Sequence, residues 1–151
     1  MLISSTGPHE SKLKSLVPEE NTKIKFLGFC SGEKLDNFIR GARAVVLPSE
    51  WYENAPISLL EAYACGKIVI GARIDGIPEF LEHDATGYLF KSGDKEELIN
   101  TIDLVYSLDD SLILSMGRYA REFVSNNYTP ERYMKDITCL YRELGGDSTT
   151  P

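Results

Sequence analysis

The sequence predicts one α/β domain with a Rossmann-like, three-layer architecture, in which helices cover both faces of a mainly parallel sheet. The chain has 151 residues, of which 42% are hydrophobic, and this is sufficient for one proper core. Short runs typical of strands alternate with stretches of helical periodicity, the pattern of a parallel sheet layered by helices. Residues 44–47 are wholly apolar, as expected of a central strand that is buried on both faces.

The first part of the chain begins this alternation. The predicted elements are a weak strand at 2–4, a short helix at 10–16, a better strand at 23–27 and a helix at 31–40. Pro18 stops the first helix, and Gly28 ends the second strand. Ser31 is a suitable cap for the second helix.

The central part continues with three more strands. The predicted elements are a strand at 44–47, a loop at 48–55, a helix at 56–66, a strand at 68–70, a loop at 71–76, a short helix at 77–82 and a strand at 87–90. Pro56 suits the first position of its helix, because the N–H that proline lacks is unpaired there in any case. Gly66 ends that helix.

The last part is predicted to be helical, with helices at 94–108, 111–125 and 130–144. Asp94 and Glu97 form a capping pair for the first of them. Met134, Ile137, Tyr141 and Leu144 share one face of the last helix, with Leu140 beside it. This face is expected to pack on this domain, or to stay exposed in part if the helix crosses to another domain. Residues 1–146 are therefore assigned to the domain and residues 147–151 to a disordered tail.

Composition excludes several classes of function. The net charge of −7 disfavours binding to nucleic acid or to an anionic membrane through the overall field. Three cysteines without a CxxC pair, no visible signal peptide and no apolar run of membrane-spanning length indicate a reduced, cytoplasmic protein. His9 and His83 are far apart in the sequence, and we expect no metal site.

Two polar loops follow predicted strands, at the sheet edge where open α/β sheets bind ligands. In the first loop, Glu53 is followed by seven residues and then by Glu61. We expect Glu53 just before the helix and Glu61 in its second turn, both facing the helix's positive end. Unpaired N–H groups at that end can hold a phosphate, and a carboxylate can accept two neighbouring hydroxyls. This combination predicts a site for a phosphorylated, hydroxyl-rich ligand.

The stretch from Pro48 to Gly66 resembles the E-x7-E signature of family 4 glycosyltransferases. Three flanking segments agree with that family in order. They are Phe26-Leu27-Gly28-Phe29, similar to its FLG strand end; Asp75-Gly76-Ile77-Pro78-Glu79, similar to its GGxPE loop; and Thr86-Gly87-Tyr88-Leu89-Phe90, similar to its TGxL strand. One such motif is weak evidence, but four in the same order within one α/β frame are strong.

The resemblance implies the carboxyl-terminal half of a GT-B fold and retaining transfer of a sugar from a UDP-, GDP- or ADP-sugar, with no metal or cofactor required. By position, Glu53 is the expected catalytic residue, contacting the donor sugar's hydroxyls, and Glu61 is expected to bind the ribose. Two further residues, Ile57 and Ser58, are expected to hold the diphosphate through their N–H groups, and Asn54 and Ala55 are expected to contact the donor beside them. The base would be lined by Gly28, Phe29 and Cys30.

The resemblance also implies partners. They are the nucleotide-sugar donor, an acceptor glycan or lipid-linked sugar, and a missing amino-terminal GT-B domain or a partner chain, through which the protein would associate with the inner membrane face. The family's preceding βα unit carries an Arg and a Lys that neutralise the diphosphate, and it has no counterpart before Leu2. The strand of this preceding unit would lie between the predicted strands at 2–4 and 44–47. Pro56 and Asp75 stand where the family has glycine.

Three functions are therefore weighed. The favoured one is a family 4 donor-binding half acting in surface polysaccharide or glycolipid synthesis, and the first alternative is a non-catalytic nucleotide-binding or scaffolding fragment. Another GT-B activity, such as that of a starch or glycogen synthase or of a nucleotide-sugar epimerase, is the third. An NAD dehydrogenase is disfavoured because no G-x-G-x-x-G motif follows the first strand. Trp51 and Tyr52 could stack on a sugar or pack on their own domain, and Arg73 could bind phosphate or form a surface ion pair.

Overall fold

The computed structural model describes residues 1–145 except Ser5, Glu19, Thr22 and Glu53. The predicted tail at 147–151 lies outside the described residues. The chain divides into two compact units, Met1–Phe38 and Ile39–Pro151, and each is described by itself.

The first unit contains a small parallel sheet. Its elements are β1 (Leu2–Ile3), α1 (Glu10–Ser15), β2 (Lys25–Phe26) and the first part of α2 (Gly32–Gly41). In the sheet, Leu2 pairs with Lys25 and Ile3 with Phe26. Both strands occur where the sequence predicts them, but each is shorter than predicted.

The second unit contains a three-stranded parallel sheet in the order β3-β4-β5. Its elements are β3 (Ala44–Leu47), α3 (Ile57–Ala64), β4 (Ile68–Arg73), α4 (Ile77–Phe80), β5 (Gly87–Lys91), α5 (Lys95–Ser107), α6 (Asp110–Asn127) and α7 (Pro130–Gly145). The structure confirms the predicted α/β class, its parallel strands and its helical carboxyl terminus. The predicted cap of α5 is also present, since the Glu97 N–H donates to Asp94 Oδ1 at 3.1 Å.

Alternate residues of the strands point to two separate apolar cores, which explains the layered arrangement. One core contains Leu59, Ala62, Tyr63, Val69, Ile77, Leu81, Leu89 and Ala120. The other contains Ile68, Ile70, Ala72, Tyr88, Phe90, Val105, Ile113 and Met116. Helix α6 contributes to both, through Ala120 to the first and through Ile113 and Met116 to the second.

Two predictions about the strands are wrong. β4 extends to Arg73, past the predicted end at residue 70, because Gly71, Ala72 and Arg73 continue the pairing with β5. β3 was predicted to be central and buried, but its four residues are only half-buried. Among the described residues β3 pairs with β4 alone, so one of its edges has no strand neighbour.

Two glycines allow close approach of the backbone where a side chain would not fit. A Cβ on Gly87 would lie 1.9 Å from the carbonyl oxygen of Val69 in the neighbouring strand. A Cβ on Gly117 of α6 would lie 2.2 Å from the carbonyl oxygen of Gly66, just after α3. The sheet and the packing of α6 near the end of α3 therefore both depend on glycine.

Helix α7 leaves much of its apolar face in solvent. Met134, Leu140, Tyr141 and Leu144 are all exposed. The expectation that this face packs on its own domain is therefore wrong for these side chains. In the part of the chain that the structure describes, no helix has both the length and the apolar composition needed to span a membrane.

Candidate functional site

The connection between β3 and α3 lies at the carboxyl end of the sheet, as predicted. The start of this connection is held by the loop between β5 and α5, because Ser92 Oγ donates to the carbonyl oxygen of Ser49 at 2.9 Å. Ser92 follows β5 directly, so the hydrogen bond joins two loops at the same sheet edge. Sequence reasoning missed this contact, since the two serines are 43 residues apart and Ser92 belongs to no motif.

The first turn of α3 presents unpaired backbone donors. Pro56 is the N-cap, and its carbonyl oxygen accepts from the Leu59 N–H at 2.9 Å. The N–H groups of Ile57 and Ser58 donate to no residue that the structure describes. Both residues are exposed. Since Pro56 has no N–H, the tip of α3 offers two donors to an anion at the helix's positive end.

Glu61 lies in the second turn of α3, where the sequence predicts it, and it is exposed. It follows Ile57 by four residues and Ser58 by three, so all three lie on neighbouring positions of one helix side. The rise of an α-helix places Glu61 about 4.5–6 Å along the axis from the two free N–H groups. Among the described residues it has no ion-pair partner.

The opposite side of α3 is fully buried, and this fixes which side faces outward. Leu59, Ala62 and Tyr63 have no exposed surface. The Tyr63 hydroxyl donates to Thr86 Oγ1 at 2.6 Å, and the same oxygen accepts from the Glu82 N–H at 3.0 Å. Burial raises the pKa of Tyr63 well above its ordinary value. The helix is thereby tied to the segment that leads from α4 into β5.

Glu53, the predicted catalytic residue, lies outside the described residues, so its expected position stays a prediction. Its neighbours Asn54 and Ala55 are exposed. The structure thus brings Asn54, Ala55, Ile57, Ser58 and Glu61 together at one end of one helix.

The predicted base-lining turn belongs to the first unit. Gly28 has a φ of 67°, a left-handed conformation that glycine adopts without strain, and its carbonyl oxygen accepts from Ser4 Oγ at 3.4 Å. Phe29 is exposed, whereas Cys30 is buried. Of these three residues, Phe29 therefore has a side chain free to contact a ligand.

The second polar loop follows β4 and is exposed at Arg73, Asp75 and Glu79. Asp75 has a φ of 39°, within the left-handed region, which explains why glycine suits this position in the motif it resembles. Arg73 was weighed as an ion-pair or phosphate-binding residue. Within the described part of the chain it forms no ion pair.

No group of three or more His, Cys, Asp or Glu side chains within the described ranges is arranged to hold a metal ion.

Comparison with known proteins identifies relatives of the whole domain. Residues 2–123 match the family described as glycosyl transferases group 1. The chain is 30% identical over 145 residues to N-acetyl-alpha-D-glucosaminyl L-malate synthase of Bacillus anthracis, covering 95% of this chain and 37% of that protein. It is 26% identical over 149 residues to the putative colanic acid biosynthesis glycosyltransferase WcaL of Escherichia coli K12, covering 94% of this chain and 37% of that protein.

A solved structure shares the fold. Anabaena Alr3699/HepE in complex with UDP-glucose superposes with a TM-score of 0.80 at 21% identity, covering 94% of this chain and 40% of that one. The chain spans little more than a third of the length of these relatives. The fold agrees with the carboxyl-terminal domain of GT-B glycosyltransferases, as the motifs predict. From the match over residues 2–123, the chain belongs to the glycosyl transferases group 1 family.

Proposed function

We propose that this chain is the donor-binding domain of a retaining, family 4 glycosyltransferase, and that it binds a nucleoside diphosphate sugar at the tip of α3. The observation that carries the proposal is the arrangement on α3. Two free N–H groups, from Ile57 and Ser58, share an exposed helix side with the Glu61 carboxylate.

These groups match the two chemically distinct parts of a nucleoside diphosphate. The diphosphate is an anion that accepts hydrogen bonds, and the helix end supplies both N–H donors and a favourable dipole. The ribose has two neighbouring hydroxyls that donate, and Glu61 can accept both. A charge-assisted hydrogen bond contributes roughly 1.5–3 kcal/mol, so Glu61 can anchor the nucleoside half. Neither role requires a metal ion.

For the reaction, we propose that Glu53 contacts the donor sugar's hydroxyls beside the reacting carbon. The leaving phosphate helps to deprotonate the acceptor hydroxyl, and the acceptor attacks from the face that the phosphate leaves, which retains the anomeric configuration. The N–H groups of Ile57 and Ser58 stabilise the charge that develops on the leaving diphosphate. We place the reaction in the cytoplasm, in surface polysaccharide or glycolipid synthesis, and we expect a further domain or a partner chain to take part in binding the acceptor.

The name of the Escherichia coli relative supports the polysaccharide assignment, and the UDP-glucose in the Anabaena structure supports a nucleotide-sugar donor. The alternative is a domain that keeps the fold and binds nucleotide, or scaffolds a partner, without catalysis. The open edge of β3 favours this alternative for the chain alone, because the strand beside the donor site has neighbours on one side only among the described residues.

The test is a titration of the ¹⁵N-labelled chain with UDP and with GDP, followed by amide chemical shifts. We expect saturable shifts at residues 28–30 and 54–61. Glu61→Ala should weaken nucleotide binding about tenfold or more, because it removes a charge-assisted hydrogen bond. Glu122→Ala is the matched control, since Glu122 is an exposed glutamate on α6 and the change in charge is the same.

Shifts that are confined to residues 28–30 and 54–61, and that need about tenfold more nucleotide in Glu61→Ala but not in Glu122→Ala, would support the proposal. The absence of a saturable response to either nucleotide would favour the scaffolding alternative. An equal loss of affinity in Glu61→Ala and Glu122→Ala would assign the effect to overall charge and reject a specific role for Glu61.

A further inference from the structure

Two large aromatic side chains in the β3–α3 connection lie in solvent. Trp51 is 83% exposed and Tyr52 is 86% exposed. In the described part of the chain neither forms a ring–ring contact, a cation–π contact or a hydrogen bond. Exposed aromatic residues that merely complete their own domain would pack against it, and these two do not.

The position of the pair links it to the proposed donor site. Trp51 and Tyr52 lie in the same connection as the tip of α3, and Ile57 at that tip is also 68% exposed. The connection therefore presents apolar surface and unpaired hydrogen-bond donors together at the carboxyl edge of the sheet. Large apolar side chains that are left in solvent within one connection indicate an interaction site.

The charges around the pair favour a sugar over a membrane. Glu50 precedes the aromatic residues and Glu53 follows them, and residues 48–57 contain no Lys or Arg. The whole chain carries a net charge of −7. An anionic lipid surface would be repelled by this environment. A neutral sugar ring suits it, because the ring's C–H face packs on an aromatic ring while its hydroxyls can donate to an exposed carboxylate such as that of Glu50.

The size of the surface favours an oligosaccharide over a single sugar. Trp and Tyr each offer a large, rigid contact area at a low cost in side-chain entropy. Two adjacent aromatic residues can contact two successive sugar rings, whereas the donor carries only one. We propose that Trp51 and Tyr52 form a platform for a neutral oligosaccharide segment of the acceptor. This inference rests on the proposed function, because that function supplies the acceptor.

Trp51 is the only tryptophan in the sequence, so its fluorescence reports directly on this surface. The chain is titrated with neutral gluco-, galacto- and manno-oligosaccharides of six or seven units, with the corresponding monosaccharides, with UDP-glucose, and with phosphatidylcholine vesicles that contain or lack phosphatidylglycerol. We expect a saturable change with at least one oligosaccharide, and binding to its monosaccharide at least tenfold weaker.

Tyr52→Ala should weaken oligosaccharide binding about fivefold to tenfold, because one stacking contact is removed. Tyr106→Ala is the matched control and should leave binding unchanged. Tyr106 is 80% exposed and lies on α5, about 16 Å along the helix from the end that adjoins β5.

Three results would overturn the platform: no response to any oligosaccharide, a response to vesicles in place of sugars, or an equal effect of Tyr52→Ala and Tyr106→Ala. Amide shifts at Ile57 and Ser58 on addition of UDP, measured on the same protein, keep this test separate from the proposed function. Nucleotide shifts without an oligosaccharide response would reject the platform alone, and the reverse result would reject the donor site.

Discussion

Strands β3 and β4 are neighbours in one sheet, yet their surroundings differ. Val45 of β3 pairs in register with Val69 of β4, but Val69 is 0% exposed and Val45 is only half-buried. β4 has a strand on each side, whereas β3 has one neighbour among the described residues. The difference shows that burial here depends on strand neighbours, because both segments are equally apolar. The candidate site therefore follows β3, which is an edge strand of the described sheet.

The backbones of β4 and β5 lie too close together at Gly87 to accommodate a side-chain atom there. We expect Gly87→Ala to destabilise the fold by more than about 3 kcal/mol or to prevent folding, because its Cβ would meet the Val69 carbonyl oxygen. Chemical denaturation measures the change. Gly41→Ala is the control, since nothing lies within 4 Å of its added Cβ. A Gly87→Ala protein as stable as Gly41→Ala would contradict the close approach of the strands.

Alanine substitutions of the paired residues Val69 and Val45 test whether β3 is less buried than β4. Val69→Ala should cost about 2–3 kcal/mol, from lost burial and the cavity that remains, whereas Val45→Ala should cost about 1 kcal/mol. The free energies of unfolding of the two variants, measured in urea, give the difference. Equal losses would mean that β3 is as enclosed as β4.

An added strand that pairs with the free edge of β3 should strengthen nucleotide binding. Fusing to Met1 the strand and helix that precede the matched region in a longer relative should tighten UDP binding about tenfold or more. The added strand is expected to pair with β3, and the Arg and Lys that the family resemblance implies for this unit would stabilise the diphosphate. Isothermal titration calorimetry with UDP measures the gain. The same extension with its Lys and Arg changed to Gln separates bracing from charge, and no gain from either version would reject the account of the open edge.

The buried side of α3 should contribute a smaller effect. Tyr63→Phe removes the hydrogen bond to Thr86 and should cost about 1 kcal/mol at neutral pH. Because burial raises the pKa of Tyr63, the folded chain keeps its proton above pH 10 while the unfolded chain loses it. Wild type should therefore lose stability above pH 10, and its advantage over Tyr63→Phe should shrink there. Tyr106→Phe serves as the control. If the stability advantage of wild type over Tyr63→Phe grew above pH 10, the raised pKa assigned to Tyr63 would be wrong.

Much of the fold could be predicted because it depends on local pattern. The run of residues 44–47 predicts β3 with its correct bounds, and Asp94 with Glu97 predicts the start of α5. The partial burial of β3 could not be predicted, because it depends on which strands lie beside it. Arg43 shows the same limit. It donates through Nε to the Val105 carbonyl oxygen at 3.1 Å, near the end of α5, and that partner is 62 residues away in the sequence.

The candidate site was predictable in part for the same reason. The spacing of Ile57, Ser58 and Glu61 follows from helix periodicity, so their shared side could be predicted. The exposure of Trp51 and Tyr52 could not, because loop aromatics either pack on their domain or project from it, and the choice is made by tertiary contacts.

The proposed donor site requires the tip of α3 and Glu61 to bind one nucleoside diphosphate between them. A crystal structure of the chain with UDP would show whether they do. We expect diphosphate oxygens within hydrogen-bond distance of the Ile57 and Ser58 N–H groups, and ribose hydroxyls on the Glu61 carboxylate. UDP bound elsewhere, for example at the start of α5 beside Lys91 and Lys95, with the tip of α3 unoccupied, would contradict it.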